Sequence, residues 1–456
     1  DSSCCYNTGQ LWSQISQDID GEAADDNSGY SVSLSSDGNT VAIGAYGNDG
    51  NGSDAGHVRI YENTGGFWSQ IGQDIDGVYP GVQCGHSVSL SSDGNTVAIG
   101  SSYSANGGLV QIYENISGSW SQIGQDIFGE AWGDRSGFSV SLSSDGNTVA
   151  IGAINNDGNG LRAGHVRIYE NISGIWTQIG QDIDGEAWDD QSGFSVCLSS
   201  DGNTVAIGAR YNDENGTSAG HVRIYNKIGG SWSQVGQDID GGTADDHSGH
   251  SVSLSSDGNN VAIGSVYSNG NGNDAGHVRI YENTGGTWSQ IGQDIDGEAA
   301  DDYSGWSVSL SSDGNTVAIG AKANDVGQNG FNGFISNSGH VRIYKNISAI
   351  WTQIGQDING EAWDDYSGHS VSLSSDGNTV AIGAYGNDGN GSNSGHVRVY
   401  NLDSTNISPC ADLGCLDPLA LNFDAYAIIS DSTCIYPSYG CIDPLALNYN
   451  SLSNID

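Results

Sequence analysis

Basic residues are scarce in this 456-residue chain: 12 Lys and Arg stand against 55 Asp and Glu, a formal charge of −43. Nucleic-acid backbones and anionic membranes repel such a surface, so neither is expected as a partner. Long apolar runs are also missing. Nothing approaches the roughly 18 consecutive residues that a spanning helix needs, and no membrane insertion is expected. Methionine is absent, and with it an initiator, and no signal-like segment opens the chain, so the sequence reads as a piece excised from a longer product. In contrast, glycine is abundant at 70 residues, with 11 Trp, 21 Tyr and regularly spaced Val, Ile and Leu. These supply a core that disordered acidic chains lack.

Internal repetition dominates. The string W-[ST]-Q-[IV] starts at Trp12, Trp68, Trp120, Trp176, Trp232, Trp288 and Trp351. The spacing is nearly constant, with one short copy, the second, and one long copy, the sixth. Each copy continues through S-V-[SC]-L and D-G-N-[TN]-V-A-I-G, and most through G-H-V-R-[IV]-Y. The copies form an alignment of their own, in which shared positions serve the shared architecture. Ser31-Val32-Ser33-Leu34 alternates with the period of two that marks a strand. Asp37-Gly38 predicts a hairpin turn with positive φ at both positions. Val41-Ala42-Ile43-Gly44, His57 to Tyr61 and Trp68 to Ile71 supply three more strands, and no helical periodicity occurs in the repeats.

Seven four-stranded antiparallel units predict an all-β fold, a seven-bladed β-propeller. The seventh copy lacks a Trp strand after Tyr400, whereas a spare one, Leu11 to Ile19, precedes the first S-V-S-L. The N-terminal strand is therefore expected to complete the last blade and close the ring. The expected organisation is a propeller over residues 10–403, flanked by cysteine-containing segments at 1–9 and 404–456.

The run S-G-F-S-V-S-L-S-S-D-G-N-T-V-A-I-G-A, then a Gly-rich loop and G-H-V-R-I-Y, resembles the FG-GAP-type repeats of integrin-α-like propellers. It is similar to a bacterial and algal subgroup with a trailing W-[ST]-Q strand. The resemblance implies the propeller fold and says less about activity. The bare Asp-Gly turn stands where integrin-type repeats place a calcium loop, so that site is not carried over.

The flanks carry a different motif. Cys415-Leu-Asp-Pro-Leu-Ala-Leu-Asn leads on to Cys434, and a second copy starts at Cys441 but finds no partner before Asp456. Joining Asp456 to the Asp1 of a following copy sets Cys4 behind Cys441 at the same spacing that separates Cys434 from Cys415. The chain thus reads as one period of an array, covalent or assembled from subunits. The motif resembles short G-C-x-D-P-x-A-x-N-[YF] modules of secreted marine bacterial and algal surface proteins. With that resemblance, an oxidising extracellular setting and three pairs are expected: Cys415 with Cys434, Cys441 with Cys4 of the next copy, and Cys5 with Cys410. Zinc is the competing reading, but C-x₂-C pairs are missing. Cys84 and Cys197, which replace Ser in their copies, read as small buried thiols.

Two acidic loops suggest calcium, a hard ion wanting six to eight oxygens. One is D-I-D-G-E-A-x-D-D, with Asp20, Glu22, Asp25 and Asp26 after Asp18. The other holds Asp49, Asn51 and Asp54 at near-alternate positions, without the bidentate Glu of a calcium loop. The plainer alternatives are a turn whose Asp side chains cap backbone N–H groups and a flexible polar loop. His57, His165, His221, His277, His340 and His396 share one strand position; a structural role, hydrogen-bonding a neighbouring turn, is expected over a metal ring. Arg59 and its equivalents read as partners for the acidic loops or the blade Trp.

Trp132, Trp188 and Trp363 occupy equivalent loop positions where other copies carry Ala24, Ala244 and Ala300, varying as a binding surface does. Phe331 and Phe334 lie in a long insertion of the sixth copy and suggest a contact with a ligand or neighbouring subunit, or packing on their own blade. Asn-x-Ser/Thr patterns fall at Asn51, Asn115, Asn171, Asn215, Asn346, Asn390 and Asn406, sites for glycans if the source glycosylates. No Ser-His-Asp order, unique carboxylate pair or phosphate-cradling loop stands apart from the repeat, so an enzyme is not expected. The leading expectation is a structural bead of an extracellular filament, sheath or adhesin stalk, joined head to tail to further copies. The alternative is a cell-surface propeller that binds a glycan or protein.

Overall fold

The computed structural model describes residues 12–325 and 336–402, together with 413–414 and 429–430. Two compact units divide the chain: Gln14–Leu402, and a second made of Asp1–Ser13 with Asp403–Asp456. In the second, Leu413–Gly414 pairs in parallel with Ile429–Ser430. Cys4, Cys5, Cys410, Cys415, Cys434, Cys441, Asn406, Phe331 and Phe334 lie outside the described residues.

The chain starts with β1 (Trp12–Gln14) and β2 (Ile19–Asp20). It then builds the first blade from β3 (Ser31–Leu34), β4 (Thr40–Ala45), β5 (His57–Thr64), β6 (Phe67–Gln70) and β7 (Ile75–Asp76). The order β3-β4-β5-β6 is antiparallel throughout, and β7 pairs with the start of β5. Seven such sheets form the ring, and no helix long and apolar enough to cross a membrane is present among the described residues. The last sheet combines Ser370–Leu373, Thr379–Ala384 and His396–Leu402 with β1 and β2 from the other end of the chain. Ile19 pairs with Val397, and the Ile15 N–H donates to the Val399 carbonyl at 2.7 Å. The expected closure is what the structure shows.

One local feature differs from expectation. The fourth strand is split into β6 and β7, because Ile71 to Asp74 leaves the sheet to clasp the next blade. The Trp120 indole Nε1 donates to the Ile71 carbonyl at 2.9 Å, and Gln73 Nε2 donates to the Trp120 carbonyl at 2.8 Å. The same clasp recurs at Trp176, Trp232, Trp288 and Trp351. At the closing seam Trp68 packs among Ile15, Ile19 and Val399 without that hydrogen bond.

Every side chain of β4 is buried, because a central strand is covered on both faces by neighbouring blades. Val58, Ile60 and Ile75 of the first blade share a cluster with Val88, Leu90, Val97 and Trp120 of the second. Small residues let the blades close. A Cβ on Gly44 would fall on the Gly85 carbonyl oxygen of the next blade, inside any van der Waals distance.

Three closed circuits of hydrogen bonds tie the inner strands. Each strand-end Leu N–H donates to the third motif residue of the preceding blade, as Leu90 to Ser33 Oγ at 2.9 Å. The circuit passes through Leu254 to Cys197 Sγ at 3.2 Å and returns through Leu34 to Ser372. Backbone N–H groups run from Ser36 to Ser92 and onward until Ser375 donates to Ser36. Ser31 and its equivalents donate to the Gly85-type carbonyl of the following blade, ending with Ser370 to Gly29. In these three circuits the last blade joins the first through the same bonds that link the other blades.

The Asp37-Gly38 step is not the tight two-residue turn that the dipeptide suggested. Ser35 to Asn39 separate β3 from β4, and only Gly38 takes positive φ, at 71°. Asp37 Oδ1 instead accepts from Ser35 Oγ at 2.7 Å and from the Asn39 N–H at 3.0 Å, organising the loop as an Asx turn. Burial pushes the Asp37 carboxyl up, but these bonds outweigh it and hold the group below its ordinary range.

Candidate functional site

Residue x of the S-G-x-S-V-S-L motif, ahead of each inner strand, is Tyr30, His86, Phe138, Phe194, His250, Trp306 or His369. The preceding glycines, Gly29 to Gly368, all hold φ between 81° and 86°, a left-handed conformation that aims the next side chain at the axis. The seven rings meet in a closed circuit. Centroid separations are 5.3, 4.8, 4.9, 4.9, 4.3, 5.7 and 4.6 Å from Tyr30 round to Tyr30 again. These are ordinary aromatic pair distances, and they pave one mouth of the central channel.

Cations stand on this paving. Lys322 Nζ lies 3.1 Å from the Trp306 ring centroid and the Arg210 guanidinium 3.7 Å from Phe194, while Arg135 lies 4.6 Å from Tyr103, a ring beside His86. Burial alone pulls Lys322 down to about 8 and is the leading cause that lowers Arg210. Among the described residues no carboxylate forms an ion pair with Lys322. Tyr46, Tyr366 and Tyr385 extend the aromatic surface, Tyr366 stacking on Tyr385 at 5.3 Å. Burial lowers His86 to about 4 and puts His250 and His369 well below their ordinary value, so all three are neutral at pH 7.

The other mouth is uniform. The extended run from Tyr30 to Ser36 covers roughly 20 Å. There every blade presents the same Leu and Ser, Leu34 and Ser36 in the first, around a cavity of about 130 Å³. One end of the axis is therefore chemically varied and the other repeats without change. The signal was present in the sequence: the x column is always a ring side chain but of four kinds. It is missed when the copies are searched only for unique catalytic groups.

Trp132, Trp188 and Trp363 stand on the connections that lead to Phe138, Phe194 and His369. They are 85, 60 and 64% exposed. Trp132 lines a groove of about 390 Å³ with Glu130, Leu161 and Arg162. Asp26 caps the Glu22 and Ala23 N–H groups, at 3.1 and 2.8 Å. Asp49 accepts from the Asp54 N–H at 2.8 Å, and Asn51 donates to the Gly77 carbonyl at 2.7 Å. Asp20 offers its carbonyl to Arg59, and its carboxyl is raised, chiefly by burial. Asp25 takes positive φ at 65° and accepts from Asn393.

Glu22 is drawn away from this loop set towards Arg59, His57 and Asp74. Among the described residues no hydrogen bond joins a strand histidine side chain to a neighbouring turn, contrary to expectation. His57 is 1% exposed, with Nδ1 3.9 Å from Asp74 and Nε2 unpartnered. Arg59 does meet the acidic loop, but it stacks on Tyr61, not on the blade Trp. Cys84 is a buried free thiol and Cys197 a half-buried one.

The glycan-acceptor pattern divides into two sets. Asn51, Asn215 and Asn390 spend Nδ2 on backbone carbonyls. Asn115, Asn171 and Asn346 use only Oδ1, each accepting an N–H within its outer hairpin.

Residues 18–61 and 359–400 match the FG-GAP repeat family. No curated protein matches the chain in sequence. Solved structures share the fold. A candidate 6-phosphogluconolactonase from Bacteroides uniformis aligns at TM-score 0.52 and 13% identity, over 73% of this chain and 86% of that one. A chain of a mitotic checkpoint complex gives 0.52 and 15%, over 88% and 94%. The periplasmic gluconolactonase of Pseudomonas aeruginosa gives 0.50 and 16%, over 73% and 85%. At these identities the likeness concerns fold alone. Seven closed blades, FG-GAP repeats and one varied axial mouth together fit a propeller of the surface or ligand-binding class.

Proposed function

We propose that this protein is an extracellular, non-enzymatic propeller that binds a glycan at the aromatic mouth of its axis, with preference for one bearing acid groups. The observation that carries this reading is Lys322, half-buried against Trp306 with no carboxylate paired to it among the described residues, in a chain of net charge −43. A desolvated cation without a counter-charge is costly, and an anionic ligand supplies the missing partner. Ring faces beside it suit the apolar face of a pyranose, and the exposed Trp132, Trp188 and Trp363 extend the contact outward. Isothermal titration with acidic and neutral oligosaccharides of matched length tests this. Lys322→Gln is expected to weaken the acidic ligand at least tenfold and leave a neutral one little changed. Equal binding of both ligands by wild type, or no effect of the variant, would refute it.

A second reading is favoured by the repeated G-C-[LI]-D-P-L-A-L-N motif at Cys415 and Cys441: the propeller is also a bead in an extracellular filament of further copies. Micrographs of the native assembly should then show strings of rings that separate under reductant, and dispersed rings would count against it.

A further inference from the structure

We infer that the Glu–His–Asp clusters between neighbouring blades are binding sites for a borderline divalent cation of the zinc and cobalt type. The fullest lies between blades three and four, where Glu186, Glu214, His221 and Asp238 bring their ligand atoms within 4.8 Å of one another. His221 is fully buried, and neither ring nitrogen has a hydrogen-bond partner. Its Nδ1 is aimed into the cluster, 3.8 Å from Glu186 Oε2 and 3.9 Å from Asp238 Oδ2. Those separations are too long for hydrogen bonds. Two ligands of one tetrahedral ion with bonds of about 2.0–2.2 Å lie roughly 3.3–3.6 Å apart, so the His221–Glu186 and His221–Asp238 pairs stand a few tenths of an ångström beyond that spacing. His165 repeats the arrangement, its Nδ1 3.9 Å from both Glu130 and Asp182, with both ring nitrogens again unpartnered.

Arg223 orients the site without occupying it. Its NH1 lies 3.3 Å from the other oxygen of Glu186, and its NH2 donates to the Asp184 carbonyl at 2.7 Å. Such an outer partner turns the remaining carboxylate oxygen towards the imidazole. Two blades act as internal controls. In blade five Gly242 replaces the Glu, and Arg279 moves onto Asp294 in a bidentate pair at 3.0 and 2.8 Å. In blade two Leu109 replaces the His, and Gln111 takes up Asp126 at 2.9 Å. In every one of these blades the Asp also accepts from the Gln four residues before it, as Asp238 does from Gln234 and Asp294 from Gln290; what sets the missing-ligand blades apart is the added partner, Arg279 or Gln111. Because Glu186 follows the outermost strand of blade three while His221 and Asp238 belong to blade four, an ion here would stitch adjacent blades. Imidazole in the ligand set argues against calcium, which takes oxygen alone.

The test uses the full chain, stripped with chelator and with its accessible thiols alkylated, titrated with Co²⁺ and with Zn²⁺. Wild type should show saturable binding with a tetrahedral cobalt spectrum and a higher melting temperature in zinc. His221→Gln should lose one equivalent. Gly242→Glu should gain one, since a side chain there meets only the movable ends of Arg279 and Asp246. Absence of saturable binding, a cobalt spectrum of thiolate type, or unchanged stoichiometry in both variants would overturn the inference.

Discussion

Acidification from pH 7.5 to 5.0 should loosen the ring, and His86 shows by how much. This imidazole sits in the aromatic circuit, 4.8 Å from Phe138, with its Nδ1 buried and unpartnered. Burial is the main cause that lowers it to about 4, with the Arg135 charge adding to the effect. A histidine whose folded value lies below its unfolded value of about 6.5 stabilises the fold above that unfolded value. The contribution is lost as pH falls towards the folded value. With about 4 and about 6.5 as the two values, the loss from one such group is roughly 2 kcal/mol at pH 5 and below about 0.1 kcal/mol at pH 7.5. Carboxylates titrate mainly below this window: Asp37 is lowered by its hydrogen bonds and Asp76 raised by burial, so their effects oppose one another. The comparison is urea unfolding of wild type and His86→Phe at both pH values. Phenylalanine already occupies this column at Phe138 and Phe194, so the ring contacts persist. Between the two pH values the variant should lose less stability than wild type, by roughly 2 kcal/mol. An equal loss in both proteins would show that His86 is not held neutral by its surroundings.

Other outcomes follow from the same contacts. Trp232→Phe removes the indole bond to the half-buried Ile179 carbonyl and leaves that acceptor without its partner, costing about 1 kcal/mol in urea unfolding. Gly208→Val pushes a side chain into the Gly249 carbonyl of the next blade, a backbone atom that cannot step aside; soluble yield and melting temperature should fall sharply. Ile19→Asn puts an amide in the buried seam beside Val397 and should cost about 3 kcal/mol, opening the ring to proteolysis between the first and last blades. In a glycosylating host, peptide mapping should find glycan at Asn115, Asn171 or Asn346 in preference to Asn51, Asn215 and Asn390, whose Nδ2 atoms the fold already uses.

The blade and its closure were legible because they are local or periodic. Seven W-[ST]-Q strings, period-two alternation in S-V-S-L and one spare N-terminal strand leave few ways to satisfy seven sheets. V-A-I-G carries no polar alternation, because the strand it forms is buried on both faces. The Asp-Gly turn misled because Asp37 serves better as a hydrogen-bond acceptor for Ser35 and Asn39 than as a left-handed residue. The split fourth strand was hidden because its cause, the clasp on Trp120, belongs to the next repeat.

Sequence alone determined the repeat, the strand order within it and the closure of the ring, since each depends on patterns inside a single copy or on the count of strands at the two ends. Only the tertiary structure decided where chemistry gathers. Tyr30, His86 and Trp306 become neighbours in one circuit because closing the ring carries the same position of every blade to a common axis. Glu186 meets His221 because two blades must pack face to face before either side chain has a partner to approach.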